Sequence, residues 1–275
     1  MKPALQLQAA SGTHRGDREY QQDRVEILAH SRVPGLLLAL VADGMGGRSG
    51  GRMASDQLVL TARQLFDSHA PQQRTPRELL QAIQHESHLM IRLNAISSEQ
   101  EPHATLACAL LLPDGQCHWT HVGDSRVQVF RDGSMLLRTR DHSYVQDLVD
   151  ARQLTPAAAR DHPMSNVLTA SLGMAGEPPF VADTLQLLPG DCLLLCSDGV
   201  WHYFTDAELA RVLTRMEPRA ACGYLIDKAR ERAAGRGDNL SLAVLKLNAA
   251  TLTAAAAEPP SEAGAPPAPD ARRNS

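Results

Sequence analysis

Leu36-Leu37-Leu38-Ala39-Leu40-Val41-Ala42-Asp43-Gly44 is an apolar run that ends on a carboxylate. A second stretch repeats the device, with Cys192-Leu193-Leu194-Leu195-Cys196-Ser197 leading into Asp198-Gly199. A third acidic residue, Asp238, stands with Asn239 just ahead of the apolar run Leu240–Leu247. Apolar runs of this length read as buried strands. A strand that delivers a carboxylate at its end is an awkward hairpin but a good way to hold a metal ion. Carboxylate and carbonyl oxygens are the ligands that hard divalent cations such as Mg²⁺ and Mn²⁺ prefer. For Asp43 or Asp198 alone, a plain Asp-Gly turn is an equally good account. The three together are harder to explain as turns, because like charges converging in a core are costly unless a cation neutralises them. The pattern points to metal-assisted hydrolysis.

Outward from these runs, strands alternate with long helical stretches. Leu5–Ala10, Val25–Ala29 and Leu36–Val41 read as strands, and a helix of roughly Gly51–Asp67 follows the Gly-rich segment. Thr75-Pro76-Arg77-Glu78 is a capping box that opens a second helix running to about Ile96. Pro113-Asp114-Gly115 and Arg131-Asp132-Gly133 sit between alternating segments and predict two hairpins. The stretch Asp141–Met164 is polar and helical in part, with a helix start at Thr155-Pro156. Strands near Thr184–Leu188, Leu193–Cys196 and Leu240–Leu247 surround two more helices, one capped by Thr205-Asp206-Ala207-Glu208 and one from Pro218 to before Gly235. Hairpin-joined strands with helices segregated in pairs predict an α+β fold, an antiparallel sandwich flanked by helices. The folded unit is expected over 5–247, and the Ala/Pro-rich segment 248–275 is expected to be disordered.

Composition narrows the function. Apolar residues make up 43% of the 275, enough for a sizeable core, while aromatics at 4% leave Leu, Val and Ala to fill it. The 27 basic and 31 acidic side chains leave a net charge of −4, and no basic stripe suggests nucleic acid or a nuclease. The apolar runs are too short to span a bilayer. Met1-Lys2-Pro3-Ala4 lacks the apolar core of a secretory signal, so a cytoplasmic location is expected. Five cysteines without a Cys-x-x-Cys pair argue for reduced, mostly buried thiols.

Gly44-Met45-Gly46-Gly47-Arg48-Ser49-Gly50-Gly51 invites a phosphate-loop reading, but no Gly-Lys-Ser/Thr follows. A tight backbone approach to a metal, with a peptide carbonyl as ligand, fits better. Arg18, five residues before Asp23, reads either as a solvated surface residue or as a bidentate phosphate clamp. His85 and His88 are expected on an exposed helix face, His118 and His121 on opposite faces of a strand, and His142 as a structural support.

Seven blocks in order now resemble one family. They are Gly16-Asp17-Arg18 through Asp23, Val41-Ala42-Asp43-Gly44-Met45-Gly46-Gly47, and Val122-Gly123-Asp124-Ser125-Arg126. Thr139-Arg140-Asp141-His142-Ser143 and Asn166-Val167-Leu168-Thr169 with Leu172-Gly173 follow. Cys196-Ser197-Asp198-Gly199 and Gly237-Asp238-Asn239-Leu240-Ser241 complete the set. The chain is identified as resembling a bacterial metal-dependent Ser/Thr protein phosphatase of type 2C, the PPM family.

That resemblance implies a four-layer α-β-β-α sandwich of two antiparallel sheets flanked by helix pairs. It also implies hydrolysis of phosphoserine and phosphothreonine in proteins by a water that two Mn²⁺ or Mg²⁺ ions activate. Asp43 would bridge the ions, the Gly44 carbonyl would bind one, and Asp198 and Asp238 would bind the other. Arg18 would hold the phosphate, and Asp124 with Asp198 would make a third, weaker metal site. Gln22, Asp23 and Asn239 would stand behind these ligands. Phosphorylated proteins would be the partners, with a cognate Ser/Thr kinase opposed, as in bacterial members that control type VI secretion. The competing reading is a catalytically inactive domain that binds phosphoproteins or acts as a scaffold. Against it stand Arg18, Asp43, Asp198 and Asp238, all retained.

Four departures from the family pattern matter. Gln22 supplies an amide where an acidic residue usually orients metal-bound water. Met45 stands where many eukaryotic members place a histidine proposed as general acid. His202, four residues after Asp198, occupies a position that is often acidic, which weakens the third site. The segment Asp141–Met164, which corresponds to a variable flap beside the site, is short.

Overall fold

The computed structural model describes residues 5–96 and 101–249. In chain order the elements are β1 (Leu5–His14), β2 (Arg24–Ala29), β3 (Leu37–Ala42), β4 (Gly44–Met45), α1 (Gly47–Ser68) and α2 (Pro76–Ile96). Then come β5 (His103–Ala104), β6 (Leu106–Leu111), β7 (Gln116–Val122), β8 (Arg126–Arg131) and β9 (Ser134–Arg138). The flap segment carries α3 (Tyr144–Asp150) and α4 (Pro156–Arg160). Last are β10 (Val181–Gln186), β11 (Cys192–Cys196), α5 (Asp198–Trp201), α6 (Asp206–Arg215), α7 (Pro218–Ala233) and β12 (Leu240–Ala249).

Two five-stranded antiparallel sheets stack face to face, in the orders β1-β12-β11-β8-β9 and β10-β7-β6-β3-β2. The predicted sandwich is borne out, and its strands explain the continuous apolar runs. On β3, Leu38, Leu40 and Ala42 pack under α1 and α2, while Ala39 and Val41 face the other sheet. On β11, Cys192, Leu194 and Cys196 pack under α6 and α7, while Leu193 and Leu195 face inward. Both faces are buried, so alternation disappears from the sequence.

Local chemistry sets the helix starts as expected. Thr205 and Glu208 close a full capping box on α6, and Thr75 with Glu78 does the same for α2, with Glu78 Oε2 accepting the Thr75 N–H at 2.7 Å. All five cysteines are buried and unpaired. No helix among the described residues is long and apolar enough to cross a membrane. The expected 248–275 tail needs correction at its start, because Asn248 and Ala249 pair with Gln6 and Leu5 as the end of β12; residues 250–275 lie outside the described residues.

Three further expectations need correction. Strand β1 runs to His14 rather than Ala10, because all ten of its residues pair with β12. The small β4–β5 ladder was not foreseen. Helix α1 begins at Gly47, so half of the Gly-rich segment is helix rather than loop. Gly44 and Gly51 serve close packing: a Cβ on Gly44 would lie 2.0 Å from the Gly51 carbonyl oxygen. The first turns of α1 lie directly on the backbone of β4, which no larger residue permits.

Candidate metal centre

Strand ends from both sheets meet at one edge of the sandwich. Asp43 follows β3, Asp124 follows β7 and Asp23 precedes β2 in one sheet. Asp198 follows β11 as the first residue of α5, and Asp238 precedes β12, in the other. A cleft of about 500 Å³ has Arg18, Gln22, Asp43, Gly44, Asp124, Asp198, Asp238 and Asn239 in its wall. Asp23 lies buried behind them, 2% exposed. His202 faces an adjoining cavity that it shares with Asp124 and Asp198. The sequence-predicted residues therefore gather in one place.

Backbone and hydroxyl contacts hold the carboxylates. The Asp43 N–H donates to Thr105 Oγ1 at 2.9 Å, and the Thr105 N–H returns to the Asp43 carbonyl at 2.8 Å. The Thr105 hydroxyl also bonds the Ser125 hydroxyl at 2.7 Å, tying the Asp43 strand end to the Asp124 turn. Ser197 Oγ donates to Asp23 Oδ2 at 2.8 Å and accepts the Ser241 N–H at 3.1 Å, which joins the two sheets beneath the cleft. Gly199 lets α5 approach β12, since a Cβ there would lie 1.9 Å from the Asn239 carbonyl oxygen.

Asn239 fastens the loop that carries Arg18. Its side chain donates to the carbonyls of Arg15 at 2.8 Å and Tyr20 at 2.9 Å and accepts the Gln22 N–H at 2.6 Å. Asp17 adds a clasp, accepting the Gly237 N–H at 2.7 Å. Arg18 Nη2 then reaches Asp238 Oδ2 at 2.5 Å. The guanidinium is 61% exposed, so it stands over the cleft and not in the core. Gln22 donates to the Gly47 carbonyl at 2.7 Å, which staples the cleft to the start of α1.

Electrostatics test whether a cation fits. Desolvation raises the Asp43 carboxyl well above its ordinary range, and repulsion from Asp23, Asp198, Asp124 and Asp238 adds to it. Asp124 is raised for the same first reason, then by Asp198 and Asp141. Asp198 rises to about 6 through desolvation and repulsion from Asp238. Asp23 rises to about 7 through burial, against which the Ser197 hydrogen bond works. Among the described residues its Oδ1 has no hydrogen-bond partner. Mutually repelling carboxylates at one strand-end edge are a donor set that a divalent cation would relieve. Among the described residues no three His, Cys, Asp or Glu side chains form a ready-made cage.

Several residues were not legible in advance. Trp201 donates its indole N–H to the Asp124 carbonyl at 2.9 Å. Arg126 lies over the same ring at 3.4 Å and grips Asp141 through bonds of 2.9 and 2.7 Å. Thr105 and Trp201 lay in no recognised block, whereas Ser197, Arg126 and Asp17 lay inside blocks that gave them no role. His142 supports the Asp124 turn as expected: its Nδ1 accepts the Gly123 N–H at 3.2 Å. His88 corrects the exposed-face reading, being fully buried with its Nδ1 accepting the Gly173 N–H at 3.1 Å. The loop carrying Gly173 covers that part of α2, which helical spacing alone could not reveal.

Known proteins are similar in sequence and in architecture. The family described as Protein phosphatase 2C matches residues 12–225. The protein phosphatase PhpP of Streptococcus pneumoniae is 31% identical over 216 residues, covering 78% of this chain and 87% of the relative. The catalytic domain of the serine/threonine protein phosphatase PstP, solved in complex with two manganese ions, superposes with a TM-score of 0.75 at 27% identity, covering 89% and 99%. PppA of Pseudomonas aeruginosa, described as a key regulatory component of the type VI secretion system, superposes at 0.73 with 30% identity, covering 88% and 97%. By sequence over most of its length and by fold, this chain belongs to the protein phosphatase 2C family of serine/threonine phosphatases.

Proposed function

We propose that the chain hydrolyses phosphoserine and phosphothreonine in proteins with Mn²⁺ or Mg²⁺ held at the strand-end carboxylates. Asp43, the Gly44 carbonyl, Asp198 and Asp238 would hold two ions, and Asp124 with Asp198 a weaker third. When bound, such ions acidify a water and neutralise charge on phosphoryl oxygens. The observation that carries this reading is the convergence of strand-end carboxylates on one cleft, with Asp43, Asp124 and Asp198 in its wall and Asp23 behind it all raised above the ordinary carboxyl range, by desolvation first.

The chain's own groups supply the rest. Arg18 offers five N–H donors, of which the Asp238 bond uses one, and so has donors left for two phosphate oxygens. Asn239 and Asp17 fix the loop beneath it, so the guanidinium meets the substrate with little ordering cost. Ser197 and Asp23 keep the two sheets in register under the carboxylates. Met45 has no proton to give the leaving alkoxide. The catalytic unit is residues 5–247, the expected setting is the cytoplasm, and a Ser/Thr kinase or its targets are the partners. The likeness to PppA supports a place in type VI secretion control.

The test is hydrolysis of a phosphothreonine peptide with added Mn²⁺, abolished by a chelator. Asp43→Ala and Asp238→Ala should each remove nearly all turnover. Mn²⁺ should raise the melting temperature of the wild type and not of Asp43→Ala. Full activity in excess chelator would refute the assignment.

A further inference from the structure

Both carboxylate oxygens of Asp238 are in use. Oδ2 accepts Arg18 Nη2 at 2.5 Å, and Oδ1 accepts the N–H of the next residue, Asn239, at 2.8 Å. The second bond is local and neutral, and it leaves Oδ1 a lone pair for a cation. The first differs in kind, because it sets a positive charge on the oxygen that a divalent ion would otherwise take.

Arg18 serves as a counter-ion for the whole centre and not for Asp238 alone. Its charged form is favoured by Asp238 first and, less strongly, by Asp198 and Asp43. Among the described residues it is the only basic side chain in the cleft wall. Its loop is fastened on either side of it, since Asn239 holds the carbonyls of Arg15 at 2.8 Å and Tyr20 at 2.9 Å. The side chain itself has room to swing: the guanidinium is 61% exposed and the Asp238 carboxylate 40%. An exposed ion pair of this kind is weak and yields to a better partner. A phosphoryl dianion is such a partner, offering the planar fork two oxygens at once. A divalent cation is the opposite, since two positive charges at one carboxylate repel.

We propose that Arg18 and a divalent cation compete for Asp238, and that the phosphoryl group of the substrate ends the competition by drawing the guanidinium to itself. Cation and phosphoryl group then bind cooperatively, and Arg18 is the element that couples them. The proposal rests on the phosphatase reading above and concerns how that site fills, ahead of the chemical step.

Mn²⁺ binding to the full chain should be followed by electron paramagnetic resonance of the free ion. Phenylphosphonate serves as the phosphoryl probe, because its C–P bond resists hydrolysis. Without the probe, Arg18→Gln should bind Mn²⁺ about three- to tenfold more tightly than the wild type, because the competing charge is gone. Arg18→Lys, which keeps the charge, should stay close to the wild type. The probe should tighten Mn²⁺ binding about tenfold in the wild type and much less in Arg18→Gln. By linkage, Mn²⁺ should tighten phosphonate binding by the same factor, read by calorimetry. Unchanged or weaker Mn²⁺ binding in Arg18→Gln overturns the competition, and an equal effect of the probe on both proteins overturns the coupling. Either result leaves the phosphatase reading standing when the wild type hydrolyses p-nitrophenyl phosphate with Mn²⁺. Failure of that hydrolysis overturns the phosphatase reading and, with it, the substrate's part in this one.

Discussion

The indole N–H of Trp201 donates to the backbone carbonyl of Asp124 at 2.9 Å, while the Arg126 guanidinium covers the same ring. One side chain on α5 therefore ties down the backbone of the turn between β7 and β8 that carries Asp124. Trp201→Phe keeps an aromatic face for Arg126 and deletes only the donor. It should cost about 1–2 kcal/mol of stability, the usual penalty for stranding a buried acceptor. The Mn²⁺ concentration giving half-maximal activity should rise with it. A calorimetric melt and a Mn²⁺ titration check both, and unchanged values would mean that the bond positions nothing.

Arg18 is anchored on Asp238 at 2.5 Å yet largely exposed. Arg18→Ala should raise KM for a phosphopeptide by about tenfold or more, because charge-assisted bonds to phosphate are lost while the carboxylates stay. Arg18→Lys should recover only part, since an ammonium lacks the planar fork. An unchanged kcat/KM would place this residue outside the substrate's reach.

His202 shares its cavity with Asp124 and Asp198 and is kept neutral, so it brings neither charge nor an oxygen ligand to a third ion. His202→Asp should lower the Mn²⁺ or Mg²⁺ needed for full activity. Asp124→Ala in the same chain should cancel the gain. Superimposable metal titrations for wild type and His202→Asp would sink the idea.

His142 carries a pH prediction whose sign follows from its depressed pKa. Burial, then His121 and Arg140, lower it to about 4. Between about 6.5 and 4 the unfolded chain takes a proton on this ring and the native state does not, so stability falls as pH falls through that window. The loss should amount to about 2–3 kcal/mol. His142→Asn keeps an acceptor for the Gly123 N–H and removes the titration. Denaturant melts from pH 7.5 to 4 should show a shallower decline in the variant, and parallel curves would exclude His142 as the source.

Gln128 lies fully buried on β8, and among the described residues neither amide atom is hydrogen-bonded. Gln128→Leu replaces an unsatisfied amide by a side chain of similar volume. It should stabilise the protein by about 1–2 kcal/mol. A lower melting temperature would mean that water or repacking satisfies the amide.

Much of the fold was legible because its causes are local. The capping boxes at Thr75 and Thr205, the turns at Asp114-Gly115 and Asp132-Gly133, and the apolar runs ending on Asp43 and Asp198 each follow from a few adjacent residues. Gly46–Gly51 misled because glycine signals flexibility and close packing alike. Only the contact between Gly44 and Gly51 shows that packing governs the start of α1.

From the sequence alone come the two-faced burial of β3 and β11, the carboxylates at their ends and the order of the blocks, since side-chain polarity and chain order dictate them. Tertiary structure alone decided which groups meet. Arg18 and Asp238 lie 220 residues apart, and Ser197 finds Asp23 across 174. Trp201 reaches a backbone carbonyl. Such pairings depend on how two sheets stack and how a short flap lies over their edge. No local propensity encodes that, because the free energy that selects it comes from burying both sheets and four helices at once.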